Sequence, residues 1–225
     1  MMIASDINIA IVDDQNLFRQ SIAMLINFTE GFNLVAECAG GQQLLDALAN
    51  TKMQVDVAII DMDMPGMNGI ELNKQLQKFY PTIKVIILSV HVNEILVTQM
   101  INAGAASYLA KNCDKDELTM AVTTVYKTGF YFNQDALKAI KNSGNHKNQT
   151  VETIPTMPVL LSDREIAILQ LICRERNNTE IGEELFLSAR TVEGHRVRIL
   201  NKINGRNTAG MVLFAIKYGI FELPL

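Results

Sequence analysis

Residues 55–69 read VDVAIIDMDMPGMNG. The apolar, β-branched run VDVAII (55–60) is too short for an ordinary helix and fits a buried strand, which closes on Asp61. Four comparable runs surround it: INIAIV (7–12), NLVAEC (33–38), IKVIILS (83–89) and ASYLA (106–110). Segments of helical period lie between and after them, around residues 17–27, 42–48, 69–79, 93–102 and 114–127. Strict alternation of strand and helix implies right-handed crossovers and a parallel sheet covered on both faces. The expected class is α/β: a doubly wound, five-stranded, flavodoxin-like domain over residues 6–132.

The pattern changes after Asn133. The stretch KNSGNHKNQTVETIPTMP (141–158) is polar and holds Pro155 and Pro158, so residues 133–158 read as an exposed linker. From Leu160 onward only helical spacing remains. Ser162 with Glu165, and Asn177 with Glu180, have the spacing of capping boxes. Residues 159–225 are expected to form an all-α unit of four helices, near 162–173, 178–185, 189–203 and 207–218. A chain of 225 residues suits two such cores.

Composition excludes several classes. With 48% hydrophobic and 20% charged residues the chain is globular in character. Cys38, Cys113 and Cys173 stand far apart without metal-ligand spacing, which fits a reducing compartment. No apolar run reaches the roughly 18 residues of a membrane span, and the first residues lack a signal-peptide pattern, so a cytoplasmic protein without membrane contact is expected. The net charge of −4 hides a split. Residues 1–135 hold 15 acids and 8 bases, a net of −7, whereas residues 159–225 hold 8 and 9. Between Arg190 and Arg206 five basic residues stand against Glu193 alone.

Asp13 and Asp14 follow the first strand as Asp61 closes the third. With strand order 2-1-3-4-5, the first and third strands are neighbours at the topological switch point, where ligands sit beyond the carboxyl ends. Crowded carboxylates call for a hard divalent cation, most simply Mg²⁺, which binds through few carboxylates plus a phosphate oxygen. Ser89 ends the fourth strand and Lys111 follows the fifth, adding a hydroxyl and an ammonium to that rim. No GxxxxGK[ST] or GxGxxG is present, so the phosphoryl donor is expected to be another molecule.

VDD (12–14), IIDMDMPGMNG (59–69), VIILS (85–89) and GAASYLAK (104–111) together resemble the receiver domain of a two-component response regulator. That resemblance makes Asp61 the phosphoacceptor, Asp14 a direct Mg²⁺ ligand and Asp13 a ligand acting mostly through water. It implies that Asp63 supplies a backbone carbonyl to the metal, Ser89 follows the phosphoryl group, Tyr108 is the rotamer switch and Lys111 pairs with the phosphate. The Asp63 carboxylate adds negative charge there and is expected to set the lifetime of the aspartyl phosphate. His91 reads as a solvated loop histidine. The pair Asp61 and Asp63 also fits a haloacid-dehalogenase-type phosphatase, but that family carries its DxD on the first strand and not on the third.

The segment LSDREIAILQLICRERNNTEIGEELFLSARTVEGHRVRILNKINGRNTAGMVLFAIKYGI (161–220) resembles the LuxR/NarL/FixJ-type DNA-binding domain. On a helix from Ala189, Val192, Ile199 and Ile203 fall on one face and should pack inward. The opposite stripe of Arg190, Glu193, Gly194, Val197 and Asn201 has the polarity to enter a major groove of double-stranded DNA, with Gly194 allowing close approach. Arg196, Arg198 and Lys202 flank it as candidate phosphate contacts. Glu193 has two readings, an acceptor for cytosine N4 or an ion pair with Arg190 or Arg196; pairing is favoured. His195 reads as a packed motif residue. Glu175 stands where the family commonly has glycine, and Thr179 where it has lysine, which puts a phosphate contact in doubt.

The two resemblances in this order imply a NarL/FixJ-family response regulator. Such a protein is a phosphorylation-controlled transcription factor, modified on Asp61 by a sensor histidine kinase and forming a homodimer when phosphorylated. It is not an enzyme, since the adduct is stoichiometric. A stand-alone phosphoryl-transfer enzyme would turn over substrate, and a protein-binding adaptor would tolerate loss of Arg196 and Arg198.

Overall fold

β3 (Val57–Asp61) is buried along its whole length, and its side chains alternate between two separate apolar layers. This computed structural model describes residues 6–90, 94–145 and 159–222. The other strands are β1 (Ile7–Val12), β2 (Phe32–Cys38), β4 (Lys84–Ser89) and β5 (Ser107–Ala110). They form one parallel sheet in the order β2-β1-β3-β4-β5, as the alternation predicts.

Val57 and Ile59 face α1 (Asn16–Asn27) and α5 (Lys115–Thr128), meeting Ala23, Ile26, Leu118 and Val122. Ala58 and Ile60 face α2 (Gly41–Asn50), α3 (Gly69–Phe79) and α4 (Glu94–Asn102), meeting Leu44, Leu72 and Val97. A strand covered on both faces needs apolar residues at every position, which is why these runs read as continuous and not alternating. Each fully buried Ile or Leu contributes about 1.5–3 kcal/mol.

Register sets the rim of the sheet. Val12 pairs with Ile60, so Asp13 and Asp61 emerge side by side. Asp61 pairs with Leu88 and Ser89 with Ala110, which brings Ser89 and Lys111 to the same edge.

The second half contains α6 (Gln134–Asn145), α7 (Asp163–Cys173), α8 (Asn178–Leu185), α9 (Ala189–Ile203) and α10 (Thr208–Lys217). Both expected capping boxes form, Ser162 with Glu165 and Asn177 with Glu180. Ser188 caps α9 by accepting from the Thr191 amide. Glu175 has φ 60°, so the expected glycine position is indeed left-handed and is occupied by a residue with a Cβ.

The expectation of an exposed linker over 133–158 is corrected in its first half. Residues 134–145 are helical, and α6 packs against α4 and α10 with Ala136, Ala139 and Ile140 buried. Asn133 starts the helix: its Oδ1 accepts from the Ala136 amide at 2.8 Å. The apolar period of α6 is only a turn and a half long and lies in a polar background, so composition concealed it. Through α6, Phe130 and Phe132 the apolar layer of the sheet runs on into the core of α7, α9 and α10.

Candidate functional site

Asp13 and Asp61 are each 2% exposed, whereas Asp14 lies on the open rim. One carboxylate oxygen from each of the three falls within 4.8 Å of the others. Lys111 Nζ bridges the buried pair, 2.9 Å from Asp13 Oδ2 and 2.8 Å from Asp61 Oδ2. The ammonium also stands 4.9 Å from the centre of the Phe18 ring. The other oxygens accept from backbone: Asp13 Oδ1 from the Gln15 amide at 2.8 Å and Asp61 Oδ1 from the Asp63 amide at 3.3 Å.

Burial pushes the Asp61 carboxyl above the usual carboxylate range; the Lys111 hydrogen bond opposes this and the Asp13 charge adds to it. For Lys111, burial works against the charge, but hydrogen bonds to Asp61 and Asp13 outweigh it, and its pKa lies above the ordinary lysine value. Three carboxylates against one ammonium leave a formal excess of two negative charges. That balance, and an all-oxygen donor set, fit a hard divalent cation such as Mg²⁺ held by Asp13, Asp14 and Asp61. The Asp63 side chain is exposed, and its backbone amide is the group that meets Asp61.

The turn after β3 is shaped by a close approach. A Cβ on Gly69 would lie 2.5 Å from the Asp61 carbonyl oxygen, so only glycine lets α3 start against the end of β3. Ser89 is fully buried at the end of β4. Tyr108 is 1% exposed, hydrogen-bonded to Ser89, with its hydroxyl 3.6 Å from Met62 Sδ. Burial raises the Tyr108 phenol, the Ser89 hydrogen bond opposes the rise, and the Asp63 charge adds to it. The expected phosphoacceptor, hydroxyl, aromatic and lysine are thus brought together. His91 lies outside the described residues.

In α9, Val192 and Ile199 are fully buried and Ile203 is half-buried, as the period predicts. Arg190, Val197, Arg198 and Asn201 are exposed, with Gly194 beside them. At Gly194 an added Cβ would meet nothing nearer than the Arg198 guanidinium at 3.8 Å, so the fold itself does not require glycine there.

One expected phosphate contact, Arg196, is corrected. Arg196 is 9% exposed and donates to Thr208 Oγ1 at 2.6 Å and to the Thr128 carbonyl, at the C-terminus of α5, at 3.5 Å. It stands one turn from Val192, on the buried side of α9. Lys202 stays exposed, with its ammonium 2.7 Å from the buried Glu165 carboxylate and 3.2 Å from the Leu160 carbonyl. Burial pushes Glu165 up, but hydrogen bonds from Lys202 and Ser162 hold it below the usual range. Glu193 Oε2 accepts from Asn178 Nδ2 on α8 at 2.5 Å, and its charge also acts on Arg196, one of the two partners expected for it. His195 is half-buried, and burial together with the Arg198 charge lowers its pKa.

Sequence reasoning missed the contact between the halves. Asn207 Nδ2 donates to the Gly104 carbonyl at 2.6 Å, and Arg206 Nη1 to the Ala103 carbonyl at 3.4 Å. Asn73 of α3 donates to that same Ala103 oxygen at 3.1 Å. A cleft of about 840 Å³ runs alongside, with Lys84 and Lys127 on one wall and Asn178 and Glu193 on the other. Nothing in the local pattern marks these residues, because each meets a partner about 100 positions away or on a separate helix.

Comparison with known proteins locates both halves. Residues 9–123 match the response regulator receiver domain, and residues 159–215 match the luxR family of bacterial regulatory proteins. The transcriptional regulatory protein DegU of Brevibacillus brevis is 33% identical over 95% of this chain and 94% of its own length. The oxygen regulatory protein NreC of Staphylococcus epidermidis is 31% identical, covering 95% of this chain and 99% of the relative. Among solved structures, the two-component response regulator RcsB in its DNA complex shares the fold with a TM-score of 0.57 at 20% identity, over 93% of this chain and 98% of that one.

Proposed function

The chain belongs to the NarL/FixJ family of two-component response regulators, and on that basis we propose that Asp61 takes a phosphoryl group from a sensor histidine kinase and so controls how α9 engages promoter DNA. As a family member it is a DNA-binding transcriptional regulator. The observation that carries the proposal is the pairing of a buried Asp61, held by Lys111 beside Asp13, with an exposed, glycine-bearing helix face on the same chain.

An Asp61 carboxylate oxygen attacks phosphorus; an O–P bond forms as the P–N bond of a phosphohistidine breaks, and the electron pair leaves on the imidazole nitrogen. Bound Mg²⁺ supplies charge neutralisation for the phosphoryl oxygens. Lys111 exchanges its contact with the Asp61 carboxylate for one with the new phosphoryl group. The Ser89 hydroxyl turns to a phosphoryl oxygen, and Tyr108, already hydrogen-bonded to Ser89, follows. The Asp63 carboxylate sets the adduct lifetime. The group is accepted stoichiometrically, not turned over as in an enzyme.

The readout is the contact between the halves. Arg196 of α9 is engaged by the C-terminus of α5, and the loop before α10 holds the carbonyls between α4 and β5. Rearrangement of that face releases α9 to bind duplex DNA, with a homodimer placing two such helices on paired half-sites. The RcsB–DNA complex, whose fold this chain shares, supports DNA as the partner. Among the described residues no helix is long and apolar enough to cross a membrane.

Footprinting of genomic DNA before and after treatment with acetyl phosphate and Mg²⁺ tests the proposal. Protection should strengthen with treatment in the native protein and stay unchanged in Asp61→Asn. Equal strengthening in the variant would exclude Asp61 as the acceptor.

A further inference from the structure

Tyr108 lies on the edge strand β5, Met62 follows β3, and β4 runs between them. Adjacent strands stand about 4.8 Å apart, so roughly 10 Å separates the two backbones. The side chains cross that gap and meet: Tyr108 Oη donates to Met62 Sδ at 3.6 Å, inside the apolar layer to which both residues belong. Met62 is 8% exposed. Its main chain fixes where the sulfur can go. The Met62 amide donates to the Leu88 carbonyl at 2.9 Å, and the Met62 carbonyl accepts from the Gly69 amide at 3.0 Å. The start of α3 presses so close that a Cβ on Gly69 would lie 2.9 Å from the Met62 Cα.

We propose that Met62 is a positioning residue of the phosphorylation switch: its thioether takes the phenol proton and keeps Tyr108 inside both before and while Ser89 turns toward a phosphorylated Asp61. The inference rests on the reading of Asp61 as phosphoacceptor. A phenol has one proton to give. Given to the sulfur, it leaves the phenol oxygen to accept from Ser89, so all three groups have a partner. Given to Ser89, it leaves the sulfur without a donor. If Ser89 were the sole partner, its departure would orphan a buried hydroxyl, which costs more than the hydrogen bond itself contributed. The ring would then either hold the serine back or leave for water. With the sulfur as second partner, the serine can move while the phenol stays paired and the ring stays inside. A leucine at this position would fill a similar volume but accept nothing.

A double-mutant cycle on the full chain tests this. Met62→Leu conserves volume, a change that cores tolerate well, and removes the acceptor; Tyr108→Phe removes the hydroxyl. Met62→Leu should lower the melting temperature by about 2–4 °C in the native background. In the Tyr108→Phe background, where no hydroxyl is left to orphan, its effect should fall to less than half of that. A methionine that acted through packing alone would give the same loss in both.

Fluorine NMR of the chain labelled with 3-fluorotyrosine supplies a readout of position, the Tyr108 signal being the one absent from Tyr108→Phe. A soluble paramagnetic agent should leave that signal sharp in the native chain, before and after acetyl phosphate and Mg²⁺, and broaden it several-fold more in Met62→Leu. Equal losses in the two backgrounds, a Tyr108 signal equally shielded with Met62 and with leucine, or a native signal that becomes exposed on treatment would overturn the proposal. The cycle needs no phosphodonor. A chain that shows the coupling yet takes no phosphoryl group on Asp61 would refute the functional reading and leave the hold of Met62 on Tyr108 standing.

Discussion

Lys111 Nζ lies 2.8 Å from Asp61 and 2.9 Å from Asp13, so one ammonium bridges two carboxylates carried by neighbouring strands. Removing it leaves two buried charges unpaired, at a cost on the order of 3 kcal/mol at neutral pH. Lys111→Met should therefore melt several degrees lower than the native protein. The sign with pH follows from Asp61, whose folded pKa is already raised. A carboxyl raised on folding loses stability as pH rises from its ordinary value through its folded one, so the deficit of Lys111→Met should shrink on acidification. Added Mg²⁺ should also recover part of it. Thermal melts against pH and Mg²⁺ check this; a deficit independent of both would contradict the bridge.

Asn207 plays two roles that one substitution separates. Its Oδ1 accepts from the Gly210 amide and caps α10, and its Nδ2 donates to the Gly104 carbonyl of the receiver. Asn207→Asp keeps the cap and places an acceptor against that carbonyl. The unphosphorylated variant should bind DNA several-fold more tightly than the native chain. Its amides around residues 103–106 should exchange hydrogen faster, with the melting of α10 unchanged.

Arg196 and Arg198 are adjacent in charge but not in role. Arg198→Ala should weaken DNA binding and reduce the salt slope by about one counterion. Arg196→Ala should leave the slope unchanged and instead loosen the contact with Thr128 and Thr208. Binding isotherms across a salt series distinguish them; equal loss of slope in both would place Arg196 on DNA.

Glu175 adopts φ 60° at the end of α7. Glycine takes this conformation without the steric cost of a Cβ, so Glu175→Gly should stabilise the protein by about 1 kcal/mol, seen as a rise of about 2–4 °C in melting temperature.

Sequence alone determined the order of the sheet and the acidic rim. A parallel alternation with strand ends at Asp13, Asp61, Ser89 and Lys111 has few topologies available, and register then brings those ends together. Capping boxes and the buried stripe of Val192 and Ile199 were legible for the same reason: their partners lie within a turn or two. Tertiary structure alone decided which cations face outward. Arg196 carries the same formal charge as Arg198, but its buried guanidinium is held by Thr208, and the exposed Lys202 has its ammonium paired with Glu165. Likewise α6, read as linker, became a packed helix, and Asn207 found Gly104 across the chain. Such contacts depend on how two cores meet, and the free energy of that meeting is spread over residues whose local patterns carry no trace of it.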